Sequence, residues 1–134
     1  MILSGKSIQK LLDDGVIKIE PEPSLKEASI KIHLSSKFSE IGRDFEDLKE
    51  FTLKPKEFIL ALSKEQITLS DKYAGLYDGY TYLAQKGLTS HMGSMFIDPG
   101  SNLQITLEIY NASNNDIILR EGDRIGQLVI VEVN

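Results

Sequence analysis

DGYTYLAQKGLTSHMGSMFIDPGSNLQITLEIYN, residues 78–111, is the stretch whose reading decides the fold. Its last ten residues alternate. Leu103, Ile105, Leu107 and Ile109 share one face, and Asn102, Gln104, Thr106, Glu108 and Tyr110 share the other, the period of a half-buried strand. Asp98-Pro99-Gly100 just upstream suits a type II turn, with proline at its first central position and glycine at its second. Glu108 is a lone carboxylate in the middle of this strand. On a solvated face it is an ordinary charged residue. Facing the Gly-rich, hydroxyl-rich segment around Thr81, it is a group able to position a water or take a proton.

Outward from this strand the same kind of pattern recurs. Ala28, Ile30, Ile32 and Leu34 alternate in ASIKIHL. KEFILALS, QITLS, GSMFID, DIILR and RIGQLVIVEV read as further short strands separated by Asn, Asp, Gly and Pro. Two helices are expected. One follows Ser4 as N-cap, places Ile8, Leu11 and Leu12 on one face and stops at Gly15; the other is a short TYLAQKGL segment. Residues 39–52 are charged and predict a loop or short surface helix. The expected fold is all-β, a jelly-roll-like sandwich or barrel in one domain spanning residues 1–134, with an amino-terminal helix and one short internal helix. The closing strand is nearly all apolar, more than one small sheet needs, which suits a subunit interface.

The ordered series Asp78-Gly79, Ala84, Gly87-Leu88, His91, Ile97-Asp98-Pro99-Gly100, Leu107-Glu108-Ile109-Tyr110-Asn111 and Arg120 to Leu128 resembles the dCTP deaminase and trimeric dUTPase superfamily, on its deaminase branch. Those proteins carry D-G-R-S-S-x-A-R-x-G-L, I-D-P-G, L-E-x-Y-N and R-x-G-x-x-I-G-x-L, and the opening MILSGKSIQKLLDDGVIKIEP resembles their first helix and strand. The resemblance covers almost the whole chain. It implies a β-clip fold, a homotrimer, and a deoxynucleotide ligand, dCTP or dUTP. It also implies Glu108 as catalytic base, with Thr81, Gln85, Ser94 and Asp98 lining the substrate site. Three departures stand out. Tyr80-Thr81-Tyr82 occupies the Arg-Ser-Ser positions and Gln85 the next arginine, so the planar forks that bond paired phosphate oxygens are missing there. The strand that carries Asp and Arg in the deaminases has Lys31 and His33. Deaminases also continue past the closing strand with a segment that folds over the nucleotide; here Asn134 follows six residues after Leu128, which predicts a site without that cover.

Composition bounds the chemistry. With 134 residues, 41% of them hydrophobic, the chain can build one core. A net charge of −5 argues against a nucleic-acid surface, and only three arginines, Arg43, Arg120 and Arg124, serve any phosphate. The absence of cysteine removes the His/Cys zinc site of metal-dependent base deaminases. His33 and His91 are too few to replace it. No tightly bound cofactor is expected, and Mg2+ would arrive with the nucleotide phosphates. No stretch approaches the roughly 20 apolar residues of a membrane span, and no signal pattern opens the chain, which predicts a cytoplasmic protein. Three functions follow: a reduced dCTP deaminase forming dUTP, a non-catalytic trimeric member that senses nucleotides or binds a partner, and, ranked last, a dUTP diphosphatase.

Overall fold

The computed structural model describes residues 1–134. Helix α1 spans Gly5–Asp13. Ser4 caps it, its hydroxyl oxygen accepting from the Ser7 N–H at 3.1 Å, and Gly15 takes φ 73° just beyond its end. Ile8 is fully buried, with Leu11 and Leu12 packed beside it.

The strands are β1 (Lys18–Glu20), β2 (Ile30–Ser39), β3 (Glu46–Asp47), β4 (Glu50–Leu53), β5 (Phe58–Thr68), β6 (Tyr73–Asp78), β7 (Leu88–Thr89), β8 (Phe96–Ile97), β9 (Asn102–Asn111), β10 (Ile117–Arg120) and β11 (Arg124–Glu132). A four-residue helix α2, Thr81–Ala84, lies between β6 and β7. Nine strands form one antiparallel sheet in the order β7-β9-β5-β2-β11-β6-β8, with β1 added to β5 and β3 to β2; β4 and β10 make a separate ribbon. The fold is therefore the expected all-β one with its two helices, built as a curled antiparallel sheet. Inward residues of β2, β5, β9 and β11 meet in one cluster of 23 buried side chains. Burying each aliphatic side chain contributes about 1.5–3 kcal/mol.

Three details position the site. The expected break between KEFILALS and QITLS is a bulge within one continuous β5, whose register shifts against both β2 and β9. Ladder groups freed by the bulge are satisfied by side chains: Ser63 Oγ accepts from the Ile105 N–H at 2.7 Å and donates to the Glu65 carbonyl at 2.8 Å. Glu65 itself turns inward, only 3% exposed, and its carboxylate takes the His33 N–H at 3.0 Å and His33 Nδ1 at 2.6 Å. The charged stretch 39–52 holds β3 and β4 rather than a helix. Lys37 and Ser36 bond the Asp47 carboxylate across the β2–β3 pair, and β4 runs in register with β10. Finally, β11 is apolar because it lies between β2 and β6, burying Ile125, Leu128 and Ile130 within this chain.

Candidate functional site

Strand β9 carries Glu108 on its outer face, opposite Leu60 of β5. Alternation places Leu107 and Ile109, both fully buried, on the inner face, so the carboxylate is anchored by a rigid element. The chain then folds a loop onto it. Glu108 Oε1 accepts the backbone N–H groups of Met92 (2.9 Å), Gly93 (3.2 Å) and Ser94 (3.3 Å), and the Glu108 N–H donates to the Ser90 carbonyl at 3.1 Å. The N–H of Met92 does most to hold the carboxyl below its ordinary pKa; partial burial opposes this, while the two further N–H groups and nearby His91 add to it. Glu108 is therefore an ionised, oriented acceptor.

Ser90 and His91 also line a cavity of about 510 Å³, walled by residues 78–81 at the end of β6 and beyond it, residues 88–91 around β7, and Lys26, Arg124 and Gln127. Its floor is polar and ordered. Buried Tyr77 shares a 2.8 Å hydrogen bond with buried Ser90, and burial pushes its phenol pKa up. His91 stands edge-on to the Tyr77 ring with Nε2 3.4 Å from the Asp78 carboxylate. Gln127 Nε2 donates to the Gly79 carbonyl at 3.4 Å. Beside the cavity the guanidinium of Arg124 lies 4.3 Å over the Tyr80 ring, and Tyr80 stacks on Tyr82.

The residues proposed from the sequence are distributed unevenly around this centre. Thr81 lines the cavity; Ser94 reaches Glu108 through its backbone. Gln85 is exposed beyond the end of α2, outside the cavity wall. Asp98 is exposed in its turn, where its carbonyl accepts from Ser101 N–H (3.3 Å) and Oγ (2.7 Å), and Gly100 takes φ 80°. Sequence reading missed Lys26, Ser90 and the Arg124–Tyr80 pair. Lys26 comes from the loop between β1 and β2, Ser90 follows β7 and Arg124 opens β11, so they meet only in the folded chain, which no local pattern reports. No three His, Asp or Glu side chains converge on a common point.

The family model described as dCTP deaminase-like matches residues 2–133. The chain belongs to the dCTP deaminase-like family. It is similar to a dCTP deaminase, dUMP-forming, of Corynebacterium glutamicum, with 33% identity over 155 aligned positions covering 100% of this chain and 82% of that protein. A dCTP deaminase, dUMP-forming, of Salinispora tropica is 34% identical over 151 positions, 97% and 79% of the two chains. Among solved structures, the 2'-deoxycytidine 5'-triphosphate deaminase of Agrobacterium tumefaciens superposes with a TM-score of 0.80 at 17% identity. That match covers 99% of this chain and 48% of that one, so this chain spans about half its length. The EIAV dUTPase superposes at 0.66 with 17% identity over 87% and 88% of the chains. These structures share the fold. No helix is long and apolar enough to cross a membrane.

Proposed function

We propose that this chain is a hydrolase of deoxynucleotide metabolism that removes ammonia from the cytosine ring of dCTP, with Glu108 as general base. The observation that supports it most is Glu108 itself: an ionised carboxylate on a rigid strand, oriented by three N–H groups and joined through its own N–H to Ser90, which lines the polar cavity. Its pKa lies below the ordinary carboxylate range, so at neutral pH it is the form that accepts a proton. In the proposed step a water oxygen bonds to C4 of the base, its proton passes to the second carboxylate oxygen and on to N3, which takes up the C4=N3 electron pair. The remaining hydroxyl proton then passes through the same carboxylate to N4, the C4–N4 bond breaks as C4=O forms, and uracil protonated at N3 and ammonia result. The chain has no cysteine to form a thiolate zinc site, and the step needs none. Mg2+ would enter on the phosphates as part of the substrate.

Thr81, Ser94, Gln85 and Asp98 are the proposed substrate contacts. Thr81 faces the cavity of its own chain, whereas Gln85 and Asp98 would serve a nucleotide shared with a neighbouring subunit. A homotrimer in the cytoplasm is therefore part of the proposal. Met92 and Met95 in the loop that holds Glu108, and Phe96 at the start of β8, are 61%, 42% and 53% exposed, and apolar surface beside a site suits a subunit that covers it.

One observation favours a second reading, a nucleotide-sensing member without turnover: one oxygen of Glu108 is already saturated, and Tyr80 and Gln85 bring no charge. Both readings require nucleotide binding, which must raise the melting temperature; a ligand at a hundred times its Kd adds about 2.7 kcal/mol. A panel of dCTP, dUTP and dTTP with and without Mg2+, followed by ammonia release from dCTP, tests the proposal. Stabilisation by dCTP with ammonia release supports deamination, stabilisation without it supports sensing, and no stabilisation by any nucleotide refutes both. Because the similar bacterial enzymes are named as dUMP-forming, resolving dUMP from dUTP assigns the product.

A further inference from the structure

The loss of arginine at positions 80 and 85 leaves the phosphates without a charge partner, yet the structure holds a cation in that corner. Of the three arginines, Arg43 pairs with Glu40 at 3.6 Å and Arg120 with Glu50 at 3.5 Å. Arg124 pairs with no carboxylate. It is half-buried at the cavity wall, its Nε donates to the Gly126 carbonyl at 3.4 Å, and its two terminal nitrogens have no partner. A half-buried guanidinium without an anion is costly unless something replaces its hydration. Part of that replacement is the Tyr80 ring, 4.3 Å below it. The ring is backed by Tyr82, with 6.3 Å between centroids, and Lys86 lies 4.2 Å over the far tyrosine. Lys86 Nζ also donates to the Tyr82 hydroxyl at 2.7 Å. Tyr80 is thus a platform that presents the guanidinium of β11 where the family's arginine side chain is absent. Lys26, also in no salt bridge, lines the same cavity. Its acidic neighbour Asp78 already faces His91 Nε2.

We propose that Arg124, held flat by Tyr80 and assisted by Lys26, is the phosphate-binding group of this chain. The ligand chemistry is a phosphate or polyphosphate, on a nucleotide or free; the inference rests on the nucleotide reading only for the source of that phosphate. The open face and free terminal nitrogens of Arg124 fit two phosphate oxygens at once, which a lysine cannot match. The arrangement also accounts for an aromatic residue at position 80, since an aliphatic one would leave Arg124 without its platform.

Calorimetric titration of the full chain with inorganic triphosphate, and separately with dCTP and deoxycytidine, tests this. Arg124→Gln should weaken inorganic triphosphate and dCTP on the order of tenfold to a hundredfold, the range of one charge-assisted contact, and leave deoxycytidine unchanged. Arg124→Lys should recover only part of the loss. Tyr80→Leu should weaken triphosphate severalfold while Tyr80→Phe, which keeps the ring, should not. Circular dichroism and melting curves confirm that each variant folds; the Phe and Lys variants carry the test where Gln or Leu destabilises. Wild-type affinity for triphosphate in folded Arg124→Gln overturns the inference, as does a wild type that binds no triphosphate. If the titrations behave as expected but dCTP yields no ammonia, the deaminase reading fails and the phosphate site stands.

Discussion

Gly126→Ala is the substitution whose cost the structure defines most sharply. A Cβ at this position would overlap the Tyr77 hydroxyl and lie 2.5 Å from the Asp78 carbonyl oxygen and 2.6 Å from Tyr77 Cζ. None of these can yield easily. Asp78 belongs to β6, which pairs with β11 along six residues, and Tyr77 is 1% exposed with its hydroxyl bonded to Ser90. Overpacking a rigid interior costs about 1–3 kcal/mol, and backbone on one side with a buried ring on the other places this case near 3 kcal/mol. For a domain of this size, that corresponds to a fall in Tm of about 10 °C. Gly122→Ala is the matched control: it has φ 86° but nothing within 4 Å of a Cβ, so it carries only the cost of a left-handed alanine, about 1 kcal/mol. Calorimetric or circular-dichroism melting of both variants separates crowding from backbone strain. Adding Tyr77→Phe to Gly126→Ala should cost less than the sum of the two alone, because the hydroxyl overlap disappears. A Gly126→Ala protein melting within 2 °C of wild type (roughly 0.5 kcal/mol) would refute the packing described around Tyr77.

Three further outcomes follow from the geometry. His33→Leu removes the ring partner of the buried Glu65 carboxylate and should cost about 3–5 kcal/mol, read by urea unfolding; Glu65→Gln combined with His33→Leu should recover part of it, and no recovery would contradict the pairing. Glu108 has a pKa lowered on folding, so its bonds stabilise the protein above the unfolded-state value of about 4.3 and that contribution is lost as pH falls through the lower folded value. The stability gap between wild type and Glu108→Gln should then be constant from pH 8 to about 5 and shrink at more acid pH; a gap independent of pH would contradict the three N–H bonds. Light scattering should report three times the 15.0 kDa chain mass, and a monomer at micromolar concentration would remove the neighbour to which Gln85 and Asp98 are assigned.

How far the sequence carried the fold depended on whether each signal was local. Alternation in 103–109 placed Glu108 correctly because a period of two needs no partner to be read. Ser4 and Gly15 bounded α1 for the same reason. Strand β6, YAGLYD, was not recognised: Gly75 and Asp78 spoil its pattern, and it exists because β11 and β8 pair with its two edges. Lys64-Glu65 read as an interruption of a strand because the reason for a charge there, His33 of β2, lies 32 residues away. The expected TYLAQKGL helix shrank to one turn, closed by Gly87 at φ 88°. At the site, the carboxylate was legible but its three N–H partners were not, since they come from a loop with no periodicity. Tyr80 read as a lost arginine until the register of β11 placed Arg124 above it.

The proposed role of Glu108 as the base that deaminates dCTP is tested most directly by single-turnover conversion of dCTP in the presence of Mg2+. Wild-type protein in excess over dCTP should yield ammonia and a uracil nucleotide stoichiometrically, slowly but measurably. Glu108→Gln, equally folded, should be slower by about 10² to 10⁴. A wild-type rate indistinguishable from that of Glu108→Gln would contradict the account.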